Sequence, residues 1–105
     1  MTVEHRLGAV GDLAPGEARR FDIGDHRVVL VRIGDGFYAL GDRCSHADFS
    51  LSEGEVLSED LEIECWKHGS TFSLTTGEPQ SLPAVKPVPV YRVKVEGDDV
   101  LLVLP

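Results

Sequence analysis

Cys44-Ser45-His46, eighteen intervening residues and then Cys65-Trp66-Lys67-His68 hold both cysteines of this chain and two of its four histidines. A cysteine and a histidine on each of two separate loops make a ligand set for a metal. Gly69 follows the second pair, and a residue without Cβ permits the close backbone approach that a tight ligand loop requires. Two cysteines also suit one disulfide, but each has a histidine with only one or two residues between. In a reducing compartment that pattern favours metal binding.

Outward from this stretch, short extended runs alternate with turn residues. Residues 2–10 read as a first edge strand, Gly11-Asp12-Leu13-Ala14-Pro15-Gly16 as a connection, and residues 18–23 as a return to extended structure. The run His26-Arg27-Val28-Val29-Leu30-Val31-Arg32-Ile33 is rich in β-branched residues and too short and apolar for a surface helix. Gly34-Asp35-Gly36 turns it into Phe37-Tyr38-Ala39-Leu40, and three strands are expected before Cys44. Between the pairs, Ser52-Glu53-Gly54-Glu55 reads as a turn and residues 61–65 as a strand. Thr71-Phe72-Ser73-Leu74 is a further short strand and Thr76-Gly77-Glu78-Pro79 a turn. Pro83, Pro87 and Pro89 exclude helix and suit loop or edge strand. Residues 88–95 and 100–104 close a hairpin around Gly97-Asp98-Asp99. No useful window has a helical period. Many short strands at regular spacing predict an all-β, antiparallel sandwich or small barrel, with the ligand loops as a small insertion over about 43–84.

The totals bound the rest. A chain of 105 residues is one domain, residues 1–105. Its 42% hydrophobic and 27% charged residues are those of an ordinary globular protein. Eighteen acids against ten bases give a net charge of −8, which argues against nucleic acid and anionic membrane surfaces. The same charge suits either docking onto a basic partner or simple solubility. The first eight residues carry no apolar run, so neither a signal peptide nor an anchor is expected, and the cytoplasm is the expected compartment. A monomer is expected.

Three readings of the ligand set remain at this point. In the first, a [2Fe–2S] cluster has one iron on thiolates and the other on imidazoles, a variant of the usual four-thiolate site. Neutral imidazoles leave the cluster less negative and easier to reduce, with potentials of roughly −150 to +300 mV against about −400 mV for plant-type ferredoxins. The second is structural zinc, for which two cysteines and two histidines are also a standard set. Common zinc fingers, however, pair like with like. The third is buried cysteines beside surface histidines.

Cys44-Ser45-His46 and Cys65-Trp66-Lys67-His68-Gly69-Ser70-Thr71-Phe72 resemble the two boxes of Rieske iron–sulfur proteins. The resemblance runs along most of the chain, including the strands before the first box, the spacing between boxes and Thr76-Gly77 after them. Leu82-Pro83-Ala84 looks like the third loop that covers the cluster. The resemblance implies an antiparallel β-sandwich with a cluster-binding subdomain. It places Cys44 and Cys65 on one iron, and His46 and His68 on the other.

Two departures narrow the likeness. High-potential members carry an extra cysteine in each loop, and this chain has none to spare. They also carry a serine and a tyrosine whose hydroxyls bond cluster sulfur; Ser70 matches the first, but Phe72 replaces the second. Hydrogen bonds to sulfur stabilise the more negative reduced cluster, so a potential toward the low end of the range is expected. The chain instead resembles small ferredoxins of bacterial ring-hydroxylating and related non-haem iron oxygenase systems. Some similar acidic chains are linked to iron–sulfur assembly. A Rieske oxygenase needs a further iron held by two histidines and a carboxylate, and only His5 and His26 remain. The expected role is therefore one-electron transfer between a reductase and a terminal acceptor, without catalysis. A redox-sensing or assembly module is the alternative, and a zinc-stabilised interaction domain a third.

Other residues divide between roles. Trp66 either anchors a partner or braces the loop; Lys67 and Asp48 read as a solvated base and a turn residue. His5 and His26 read as surface residues. Glu53, Glu55, Glu59, Asp60, Glu62 and Glu64 put six acids into twelve residues, as a docking patch for a basic reductase or as a solvated strand face. Ligating imidazoles with a free ring nitrogen facing solvent would make the potential fall at alkaline pH.

Overall fold

A computed structural model describes residues 3–24, 26–42, 50–66, 69–80 and 87–104. Among them are nine strands: β1 (Val3–Ala9), β2 (Ala18–Ile23), β3 (His26–Ile33), β4 (Gly36–Gly41), β5 (Glu55–Leu57), β6 (Glu62–Glu64), β7 (Thr71–Ser73), β8 (Val90–Glu96) and β9 (Asp99–Leu104). The described helix is confined to two single turns of 3₁₀ type, Val10–Asp12 and Leu51–Glu53. None is long and apolar enough to cross a membrane.

Every strand pairing is antiparallel. Six strands form one sheet in the order β1-β9-β8-β4-β3-β2, and β5-β6-β7 form a second, smaller one. The larger sheet curls. Its inner face gathers Val28 and Leu30 of β3, Ala39 of β4, and Val100, Leu102 and Leu104 of β9 into one core, with Leu7 of β1 and Phe21 of β2 packed against it.

The small sheet lies on the outer side of the same strands. Val29 and Val31 of β3 and Leu40 of β4 join Leu51, Ile63, Cys65, Phe72, Leu74 and Val88 in a second core. This explains the unbroken apolar run in β3. Both faces of the strand are covered, so alternate residues enter different cores and no polar period survives. The second core also ties the small sheet to the body through the side chains nearest the cysteine.

The all-β expectation holds, with corrections of detail. Four described strands precede residue 44 rather than three, because β1 pairs with β9 across a bulge at Leu7 and β2 pairs along its length with β3. Glu55 belongs to a strand and not a turn, since β5 pairs along its length with β6. β8 begins at Val90 rather than at residue 88. Pro89 has no N–H to give to a ladder, and its carbonyl accepts the Gly41 N–H at 2.8 Å instead.

Candidate metal centre

Strands β6 and β7 pair antiparallel, and in the chain the second sequence pair falls between them. The Cys65 N–H donates to the Ser70 carbonyl at 2.7 Å, and the Gly69 N–H donates to the Cys65 carbonyl at 2.9 Å. Gly69 takes a left-handed φ of +74°, which only glycine adopts at little cost. The sequence placed a glycine there for close approach, and the turn geometry supplies the concrete reason. Cys65 is a free thiol with no exposed surface. Ser70 and Phe72 are equally buried, whereas Trp66 is 48% exposed.

The first pair, Cys44 and His46, lies outside the described residues, as do Lys67, His68, Asp48 and the segment with Leu82, Pro83 and Ala84. Asp42 closes β4 and is 1% exposed. Its carboxylate accepts the Ser52 N–H at 2.7 Å and the Ser50 hydroxyl, while its carbonyl accepts the Leu51 N–H at 2.7 Å. The Arg20 Nε of β2 stands 3.6 Å from the same carboxylate. That guanidinium is held above its ordinary pKa first by its hydrogen bond to Asp22 and, more weakly, by the charge of Asp42.

Two glycines bring the flanking segments against the hairpin. A Cβ on Gly54 would fall onto the carbonyl oxygen of Glu64, the residue before Cys65. A Cβ on Gly77 would meet the Val88 carbonyl and come within 2.9 Å of Val90 Cγ2. Gly54 therefore seats the segment after residue 49 on the Cys65 hairpin, and Gly77 seats the segment after residue 86. Sequence reasoning read Gly54 only as a turn residue and Gly77 as a turn residue within the family resemblance, and it did not single out Asp42. An acid at the end of an apolar strand, two residues before a candidate ligand, with serines at 50 and 52, was the available signal.

The remaining sequence candidates fall elsewhere. His26 is exposed, its Nδ1 3.2 Å from the Tyr91 hydroxyl, with the two rings edge to face at 5.7 Å. Glu55 and Glu64 sit directly opposite across β5 and β6, on the face away from Val56, Ile63 and Phe72. Like charges so placed repel, and no ion pair to either is found among the described residues.

An iron–sulfur cluster needs deprotonated, soft thiolate donors, oriented by the groups around them. A buried unbridged thiol on a glycine-closed hairpin, packed beside a buried serine, fits an iron–sulfur group. An iron–sulfur domain is a class that this fold and this donor fit.

The chain belongs to the Rieske [2Fe-2S] domain family, whose pattern matches residues 4–92. Its cofactor is accordingly one [2Fe–2S] cluster with two cysteine and two histidine ligands. It is 47% identical over 97 residues to the ferredoxin component of biphenyl 2,3-dioxygenase from Rhodococcus jostii, covering 92% of this chain and 89% of that one. Its structure is similar to the ferredoxin of carbazole 1,9a-dioxygenase from Nocardioides aromaticivorans, with a TM-score of 0.92 and 40% identity over 94% of this chain and 95% of the other. It is also similar to a chain in a complex of reduced oxygenase and oxidized ferredoxin in carbazole 1,9a-dioxygenase, with a TM-score of 0.86 and 39% identity over 94% and 91% of the two chains.

Proposed function

We propose that this chain is a one-electron carrier that takes electrons from a reductase and delivers them to the terminal oxygenase of a ring-hydroxylating system. The observation that carries the reading is near-complete coverage at 47% identity by a dioxygenase ferredoxin component. The protein acts as one domain, in the cytoplasm, where reducing conditions keep cysteines available to ligate iron. It performs no catalysis of its own. When bound, the cluster supplies a single-electron couple at a potential raised by its neutral imidazoles.

In this reading Cys44 and Cys65 hold one iron and His46 and His68 the other. Ser70 stabilises the reduced state, while Pro83 belongs to the segment that covers the cluster. Phe72 has no hydroxyl to add, and its ring is spent in the core beside Leu51 and Leu74. Ser70→Ala is expected to lower the midpoint potential in a redox titration, since reduction then loses a stabilising hydrogen bond. An unchanged potential would remove Ser70 from this role.

Trp66, half exposed next to Cys65, anchors the redox partner, as buried aromatic anchors do at many interfaces. The opposed glutamates Glu55 and Glu64, with Glu62 on the same sheet face, give that docking an acidic rim for a basic partner. Electron transfer to the oxygenase is then expected to slow at least about tenfold when salt is raised from low to several times physiological strength. Stopped-flow mixing across a salt series reads this directly, and a flat profile would leave the acids as a solvated face.

The functional test is substitution of this chain for the ferredoxin in a reconstituted biphenyl dioxygenase. Product formation dependent on the chain supports the carrier reading. Transfer of the cluster itself to an apo-acceptor, without electron exchange, would replace it with the assembly role.

A further inference from the structure

Residues 43–49 separate Asp42 from Ser50, and two of the four proposed ligands, Cys44 and His46, lie among them. Both flanks of that segment meet at one carboxylate. Asp42 Oδ1 accepts the Ser52 N–H at 2.7 Å, and Oδ2 accepts the Ser50 hydroxyl, which is itself 2.8 Å from the Ser52 hydroxyl. The backbone of the same residue reaches both ways, donating to the Arg27 carbonyl at 3.0 Å and accepting from Leu51 at 2.7 Å.

The sheet does not need this carboxylate. The β3–β4 ladder ends in backbone hydrogen bonds that any residue at 42 would make. Burying a carboxylate is costly unless it is paired and hydrogen-bonded, and here its hydrogen bonds go to the far side of the ligand-bearing segment. Ordering a stretch of backbone costs conformational entropy, and a tie between its two flanks lowers that cost. Cys44 follows Asp42 by only two residues in the chain.

We propose that Asp42 is the positioning residue of the first ligand segment. It ties Asp42 to Ser50 and Ser52 and so presets Cys44 and His46 to hold the cluster. The inference rests on the reading of Cys44 and His46 as ligands. The feature that matters most is where the side-chain oxygen sits; the Arg20 guanidinium at 3.6 Å is a partly exposed, weaker partner. In Asp42→Asn the Oδ1 still accepts from Ser52, and the amide donates to the Ser50 hydroxyl, whose own proton turns to Ser52. In Asp42→Glu the charge is kept, but the oxygens move by one methylene and the tie breaks.

The test is the rate at which purified holoprotein loses its visible absorption to excess iron chelator, together with the g-values and linewidths of the reduced protein. Asp42→Ala and Asp42→Glu are expected to lose the cluster about 10- to 100-fold faster than wild type, as for other residues that orient metal ligands, and to broaden the signal. Ser50→Ala should fall between, and Asp42→Asn should stay near wild type. Leu102→Ala, in the inner core, is the control for general destabilisation, compared with the Asp42 variants at equal thermal stability. Loss in Asp42→Ala no faster than in Leu102→Ala would overturn the proposal, as would rescue by Glu where Asn fails. A wild-type protein without a histidine-ligated signal would instead overturn the ligand reading beneath it.

Discussion

Cys65→Ser is expected to leave a folded protein with almost no iron, no visible absorption and no signal on reduction. The side chain has no exposed surface and sits beside a turn closed by two backbone hydrogen bonds, so bulk water does not reach it to take its place as donor. A serine hydroxyl is nearly isosteric, but it is a hard donor that stays protonated where a thiol gives up its proton, and soft thiolates select iron–sulfur clusters. The hairpin itself should persist, because its hydrogen bonds are made by the backbone and its packing by Ile63 and Phe72. Iron and sulfide analysis beside far-ultraviolet circular dichroism reads both parts. His26→Ala serves as the contrast. That ring is engaged with Tyr91, and iron content should not change. A full complement of iron in Cys65→Ser would remove Cys65 from the ligand set.

Gly54→Ala is the second large effect expected. The conformation at Gly54, φ −85° and ψ −175°, is open to alanine, so the objection is wholly steric. Its Cβ would fall on the Glu64 carbonyl oxygen and lie 2.9 Å from the Glu64 carbonyl carbon and 3.2 Å from the Leu51 carbonyl oxygen. All three are backbone atoms, and no rotamer change relieves them. Overpacking costs typically about 1–3 kcal/mol, and this case belongs at or above the top of that range. The displacement would separate the segment after residue 49 from the residue that precedes Cys65, so cluster retention should fall with stability. Gly11→Ala meets nothing within 4 Å and should be nearly silent. Urea unfolding of the two variants, followed beside iron content, compares them. Equal midpoints would mean that Gly54 is not packed on the Glu64 backbone as described.

What could be read from the sequence was whatever depends on residue type and short spacing. The two Cys-His pairs carried the metal chemistry because few other roles place a thiol and an imidazole so close twice. The apolar run of β3 was legible as a strand from its β-branched residues, although its burial on two faces became visible only when the small sheet was in place. β5 was not legible. Glu55, Val56 and Leu57 are too few to show alternation, and they are a strand because β6 supplies their partner. Asp42 and Gly54 were hidden for the same reason. An aspartate before a loop and a glycine in a turn look ordinary until residues 8 to 10 positions away return to meet them. Trp66 was legible as a residue near the site, but its exposure depended on the direction of the hairpin tip.

The most direct test of the whole account is electron paramagnetic resonance of the aerobically purified protein after chemical reduction. The account predicts a rhombic signal with the low average g-value of a histidine-ligated [2Fe–2S] centre, lost in Cys65→Ser. A colourless, silent sample with stoichiometric zinc and no iron would contradict it, and the electron-carrier reading would fall with the cluster.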